Sequence, residues 1–201
     1  MSTLEDVLRG RDDVSNDAAR AAERAVGAAR ALGLTDVSYA FEPSPVGDLL
    51  VAVTPRGLIR IAYNAHEHAD DVLEELARRV SPRVVEAPAA LDPVRRALDE
   101  YFDGKRTGFD LPIDWRLHDG FGRRVLRATA RIPFGKVLTY AEVAAKAGSP
   151  RAYRAAGNAL GSNRMPIVVP CHRVVASGGK LGGYTGGIQR KEYLLGLEGV
   201  R

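Results

Sequence analysis

The stretch Thr139-Tyr140-Ala141-Glu142-Val143-Ala144-Ala145-Lys146-Ala147-Gly148-Ser149-Pro150-Arg151-Ala152-Tyr153-Arg154-Ala155-Ala156-Gly157-Asn158-Ala159-Leu160 reads as two short helices joined by a tight turn. Thr139 is a good N-cap, and Glu142 three residues later completes a capping box that opens a helix over 140–147. Gly148-Ser149-Pro150 stops it, and a second helix is expected over 151–160. This is the outline of a helix-turn-helix, in which the second helix enters a nucleic-acid groove. That second helix is poor in hydrogen-bonding side chains. Ala152, Ala155, Ala156, Gly157 and Ala159 surround Arg154, so its backbone can press closely on a surface and leave one long cation to act. A plain Ala-rich packing helix has the same composition, and the residues alone leave both readings open.

Eleven residues downstream lies the only cysteine of the 201-residue chain, Cys171, within Ile167-Val168-Val169-Pro170-Cys171-His172-Arg173-Val174. A lone thiol makes no intramolecular disulfide and builds no thiolate metal site by itself. Cationic neighbours lower a thiol's pKa, and the thiolate is the nucleophile. Cys171 is thus either a nucleophile or a buried apolar filler.

The charge is divided in the same place. Residues 1–115 carry 14 Lys and Arg against 21 Asp and Glu, a net of −7, whereas residues 116–201 carry 15 against 4, a net of +11. Such a concentration of positive charge suits a phosphate backbone, although a solvated basic face would look the same. No run approaches the roughly 20 apolar residues of a membrane span. The start, Met1-Ser2-Thr3-Leu4-Glu5-Asp6, lacks the basic-then-apolar order of a secretory signal, so a reducing cytoplasm is the expected compartment.

Towards the amino terminus, 17–32 has helical spacing and stops at Gly33. Val37–Phe41, Leu49–Val53 and Leu58–Tyr63 are short β-type runs separated by Pro43–Asp48 and Thr54–Gly57, which predicts an antiparallel meander. Helices are expected over 66–80, 91–102 and 121–130. The stretch 111–120 reads as a linker, in which Trp115 covers an apolar surface between domains. The expected organisation is a helical extension (1–35), an α/β domain (36–115) and a basic domain (116–201).

The block Pro170-Cys171-His172-Arg173-Val174, preceded by Arg154-Ala155-Ala156-Gly157 and Asn163, resembles the O6-alkylguanine-DNA alkyltransferases, also called methylated-DNA-protein-cysteine methyltransferases. Gly183-Tyr184-Thr185-Gly186-Gly187, Lys191 and Leu194-Leu195-Gly196-Leu197-Glu198-Gly199 continue the resemblance, which covers nearly all of 121–201. It runs back less specifically through Glu100–Gly104, Phe109–Pro112 and the strands near 44–63, and it leaves 1–35 uncovered. The fold it implies is α+β: a small antiparallel sheet with helices, then a mostly helical winged helix-turn-helix domain carrying the cysteine.

The resemblance implies direct-reversal repair of double-stranded DNA containing O6-alkylguanine, with O4-methylthymine as a further substrate. The base is flipped out from the minor groove and its alkyl group moves irreversibly to the thiolate of Cys171, so each molecule acts once. His172 would serve as base through a bridging water, oriented by Glu198. Tyr140 would assist flipping and donate a hydrogen bond to guanine N3. Arg154 would fill the vacated base stack, with Ala155 and Gly157 against the DNA. Val174, Tyr184, Thr185 and Gly186 would form the pocket, and Asn163 would tie the helix-turn-helix to the cysteine segment. No cofactor is implied, and the protein would act as a monomer; the sequence leaves open whether several copies bind DNA cooperatively.

Two positions depart from the commoner pattern. Tyr153 stands where a small residue is usual, adding a stacking or phosphate contact, and Arg164 replaces a frequent Pro, adding a phosphate contact. Relatives that hold structural zinc do so with cysteines and histidines in the first domain. Here that domain has only His66 and His68, so no metal is expected. Two other classes stay in view: a non-enzymatic sensor of alkylated bases, against which Cys171 argues, and a cysteine hydrolase, which would need an oxyanion hole and would leave Arg154 unused.

Overall fold

The computed structural model describes residues 17, 20–29, 31–63 and 69–200. Residues 20–29 are helical, as the Ala- and Arg-rich spacing predicts. His66 and His68 lie outside the described residues.

Three strands, β1 (Val37–Glu42), β2 (Leu49–Thr54) and β3 (Gly57–Tyr63), form the expected antiparallel meander. A fourth, β4 (Val84–Glu86), pairs in parallel with β1, so the sheet is mixed, in the order β3-β2-β1-β4. Three residues are too few to show a period of two, which is why β4 is invisible in the sequence. Strand β2 is buried along its whole length because both faces of the sheet are covered. Leu50 and Ala52 pack with Val72 and Leu76 of α1 (Ala69–Arg79). Leu49, Val51 and Val53 face the other way, towards Val94, Leu98 and Tyr101 of α2 (Asp92–Phe102) and the second half of the chain.

The connection between the halves is pinned rather than loose. Leu58 N donates to Pro112 O and Asp114 N to Leu58 O, each at 2.8 Å. A Cβ on Gly57 would lie 2.0 Å from Pro112 O, so this approach requires the glycine and its φ of +124°. Trp115 is half-buried against the larger apolar cluster, and Arg127 from the second half lies 5.6 Å from its ring, so it does bridge the two halves.

The second half packs α3 (Gly120–Thr129), α4 (Tyr140–Lys146) and α5 (Tyr153–Gly161) around Val125, Leu126, Val143, Ala144, Ala156 and Leu160. The capping box is present in both directions between Thr139 and Glu142. Small side chains on α4 and α5 let the two helices approach closely. Strands β5 (Leu138–Thr139) and β6 (Val174–Val175) form a short parallel pair, and α6 (Ile188–Leu197) closes the chain. Among the described residues, no helix is long and apolar enough to cross a membrane.

Candidate active site

The β-branched run before Cys171 is not an extended strand. Pro166 and Pro170 lack N–H donors, and the backbone turns instead: Val169 N donates to Met165 O and Cys171 N to Val169 O, both at 2.8 Å. Ile167 takes a φ of +72°, a conformation that costs a β-branched residue on the order of 1–3 kcal/mol. Asn163 holds this turn. Its Nδ2 donates to Val169 O at 2.9 Å and to Cys171 Sγ at 3.1 Å, while its Oδ1 accepts from Met165 N at 3.0 Å. One amide therefore holds both the loop and the sulfur.

Cys171 opens a single 3-10 turn, Cys171–Arg173. The expectation that His172 and Arg173 depress its pKa fails in the free protein. Burial pushes the Cys171 thiol up, against the weaker opposing pull of the Asn163 hydrogen bond and the Lys191 charge. Arg173 is spent elsewhere: its Nε lies 2.8 Å from Glu198 Oε2 and its Nη2 2.9 Å from Oε1.

Glu198 is a hub of buried donors. Tyr101 donates its hydroxyl at 2.7 Å, His172 Nε2 lies at 2.8 Å, and Gly135 N donates at 3.2 Å. Burial pushes its carboxyl up, but the hydrogen bonds from His172 and Arg173 outweigh that and hold it at about 2. An ionised Glu198 can only accept, so His172 carries its proton on Nε2. Burial pushes the imidazole's pKa down, keeping the ring neutral at physiological pH, and buried Nδ1 meets no hydrogen-bond partner among the described residues. The result is a neutral imidazole with one nitrogen fixed and the other's lone pair available.

Cys171 lies in the wall of two hollows. The larger, about 290 Å³, is lined by Tyr140, Gly157, Leu160, Gly161, Gly183, Tyr184 and Thr185 as well. The smaller, about 30 Å³, shares Leu160, Tyr184 and Thr185 and reaches the first half of the chain at Tyr63. Tyr140 donates its hydroxyl to Gly183 O at 3.4 Å, and Thr185 Oγ1 donates to Gly161 O at 2.9 Å. Lys191, fully buried, donates to the carbonyls of Val174 at 2.6 Å and Gly183 at 3.3 Å and also to that of Leu181, which shapes the loop over the sulfur.

Most of the expected residues come together here: Cys171, His172, Glu198, Asn163, Tyr140, Tyr184, Thr185 and Gly186. Tyr153, Arg154 and Ala155 are exposed on α5, with the Arg154 guanidinium 5.6 Å from the Tyr153 ring, and Gly157 faces the Tyr140 ring. Two residues stand apart. Val174 is buried in β6, lines neither hollow and gives its carbonyl to Lys191, so it is a backing residue rather than a wall. Arg164 forms an ion pair with Glu75 of α1 at 3.0 Å, and its carbonyl accepts from Ile61 N at 2.8 Å. It joins the two halves, because the turn after Asn163 points it at α1. The sequence reading missed Tyr101 and Tyr63 as parts of the site, and it set Arg173 beside the thiol rather than on Glu198. Tyr101 and Tyr63 reach the site only through long-range packing. Among the described residues, no group of three or more His, Cys, Asp or Glu could hold a metal ion.

Comparisons with known proteins match both halves of the chain. Residues 37–115 match the model of the 6-O-methylguanine DNA methyltransferase, ribonuclease-like domain, and residues 120–200 match that of the 6-O-methylguanine DNA methyltransferase, DNA binding domain. A methylated-DNA-protein-cysteine methyltransferase of Methanosarcina barkeri is 38% identical over 160 residues, covering 80% of this chain and 96% of its own. The constitutive methylated-DNA-protein-cysteine methyltransferase of Bacillus subtilis is 33% identical over 165 residues, covering 81% and 95%. The crystal structure of Mycobacterium tuberculosis OGT in complex with DNA superposes with a TM-score of 0.70 at 37% identity, covering 80% of this chain and 92% of that one. The chain belongs to the 6-O-methylguanine DNA methyltransferase family.

Proposed function

We propose that this protein is a methylated-DNA-protein-cysteine methyltransferase that removes the alkyl group of O6-alkylguanine from duplex DNA, with Cys171 as the acceptor. The observation that carries this reading is the buried sequence of groups behind one reachable sulfur: a neutral His172 held by an ionised Glu198, beside a hollow wide enough for a base.

In the proposed reaction the Cys171 proton passes to Nδ1 of His172 through a bridging water, and Glu198 stabilises the imidazolium that forms. The sulfur attacks the alkyl carbon. The S–C bond forms, the C–O6 bond breaks, and its electron pair stays on O6 of the departing guanine. Burial pushes the Tyr140 pKa up, so its phenol stays protonated and is suited to donate a hydrogen bond to the guanine as charge develops. Cleaving the S–C bond of the thioether would have to expel the Cys171 thiolate, a poor leaving group from an alkyl carbon, so each molecule is consumed. Because the hollow beside Cys171 cannot be reached by a stacked base, the target nucleotide is flipped, at a cost of a few kcal/mol, and Arg154 fills its place.

We further take residues 36–115 and 116–201 as two domains with 1–35 as an extension, and the glycine-rich stretch after β6 as the wing. The protein acts as a monomer that can assemble cooperatively on DNA, in a reducing cytoplasm that keeps its thiol free, and O4-methylthymine is a second substrate.

Intact-protein mass spectrometry after incubation with an O6-methylguanine duplex tests the central claim. The expected result is one stoichiometric gain of a methylene mass, mapped to the Cys171 peptide and lost in Cys171→Ala, which still binds the alkylated duplex. Unchanged mass with retained binding would mean a sensor of damage rather than a repair protein.

A further inference from the structure

The smaller hollow beside Cys171 is closed by a residue from the first half of the chain. Tyr63, the last residue of β3, is 5% exposed, and its hydroxyl lies 2.9 Å from that of Tyr184. Its ring is held from three sides. The Arg190 guanidinium lies 4.7 Å from the ring centroid while donating from Nε to Val46 O at 2.6 Å and from Nη1 to Gly186 O at 2.9 Å. The Tyr184 ring meets it edge-on at 6.4 Å. A Cβ on Gly186 would lie 2.6 Å from Tyr63 Cε2 and 2.7 Å from Tyr184 Cε1, so the loop and the ring are in full contact. Burial and the hydroxyl pair leave Tyr63 little freedom to swing aside, unlike a surface tyrosine.

This matters because of where a longer alkyl chain must go. In the displacement, sulfur, carbon and O6 lie in line, so the rest of the alkyl group projects sideways from that axis. With the base in the larger hollow, the adjoining space beside the sulfur is the smaller hollow, which shares Cys171, Leu160, Tyr184 and Thr185 with it. It measures about 30 Å³. That accommodates about two water-sized groups, while a dry protein cavity that takes up benzene is on the order of 150 Å³. A methyl group fits as built. A benzyl group does not unless the wall moves.

Resting on the alkyl-transfer reading above, we propose that Tyr63 is a specificity-determining residue, the wall that restricts this protein to small O6-alkyl groups, with Arg190 as the residue that positions it. The device works across the two halves of the chain: the sulfur and Tyr184 come from one, the limiting ring from the other.

The test compares single-turnover transfer from duplexes carrying O6-methylguanine and O6-benzylguanine, for the wild-type chain, Tyr63→Ala and Arg190→Ala. The readout is the ratio of the two rates, which a general loss of folded protein leaves unchanged. The wild type should favour methyl. Tyr63→Ala should raise the benzyl-to-methyl ratio by about tenfold or more, the scale on which a pocket discriminates groups by size. Arg190→Ala should raise it by a smaller factor. If Tyr63→Ala does not fold, Tyr63→Leu replaces it and should move the ratio in the same direction. A ratio that stays within about twofold of wild type in a folded variant overturns the proposal while methyl transfer stands. A wild-type chain that gains no mass from the methylated duplex overturns the alkyl-transfer reading itself.

Discussion

Nε2 of His172 lies 2.8 Å from Oε1 of Glu198, while Nδ1 of the same buried ring has no hydrogen-bond partner among the described residues. The pair fixes which nitrogen can accept a proton. Because burial holds the imidazole below its ordinary pKa of about 6.5 and lifts the thiol above its own, the resting pair at neutral pH is thiol and neutral imidazole. Methyl transfer should therefore be flat from about pH 6.5 to about pH 8 and fall only on the acid side, as the ring protonates. Single-turnover rates across that range check this. A rate climbing tenfold per pH unit through neutrality would instead indicate attack by a pre-ionised thiolate that needs no base.

Glu198 also links the site to stability. Its folded pKa of about 2 lies below the ordinary 4.5, so its contribution is fully present above pH 4.5 and is lost as the pH falls towards 2. Removing the carboxylate leaves Arg173 buried without its ion partner. Glu198→Ala should cost about 3–5 kcal/mol in urea unfolding at pH 7, far more than loss of a surface carboxylate. A loss under about 1 kcal/mol would show that water replaces the carboxylate at little cost.

Asn163 makes three hydrogen bonds in the turn that carries the sulfur. Asn163→Ala should destabilise the chain by about 1–3 kcal/mol, since Met165 N is left without a partner in a buried place, while Val169 O keeps its bond from Cys171 N. Transfer should slow as well, because the strained Ile167 turn loses the amide that holds it. Denaturant unfolding and the transfer rate, measured together, separate the two effects.

Arg154 stands exposed on α5 among small residues. Arg154→Ala should slow transfer from duplex DNA by roughly 30-fold, equivalent to about 2 kcal/mol of lost support for the flipped state. Affinity for undamaged duplex should fall by less than about fivefold, the effect of one lost cation. Equal losses in both measurements would make Arg154 a general phosphate contact.

Arg164 pairs with Glu75 across the two halves of the chain. Arg164→Ala should cost at most about 1 kcal/mol of stability and leave the salt dependence of duplex binding as it was. A slope reduced by about 0.9 would return Arg164 to the phosphate-contacting role that its sequence position suggested.

The sequence by itself determined the local features. The Thr139 and Glu142 cap, the glycine-closed turn, the meander of β1 to β3 and the lone Cys171 beside His172 depend on neighbours a few residues apart, so their chemistry is written in short spacing. Tertiary structure decided the rest. The β-branched run 167–170 forms a strained turn because two prolines withdraw donors and Asn163 supplies its own. Arg173, next to the thiol in sequence, turned to Glu198, 25 residues away, because a buried carboxylate needs several donors. Tyr63 and Tyr101 joined the site from the first half, 121 residues from Tyr184 and 97 from Glu198 respectively. No local pattern encodes such contacts, since apolar burial of the sheet against both halves is what brings them within hydrogen-bonding distance.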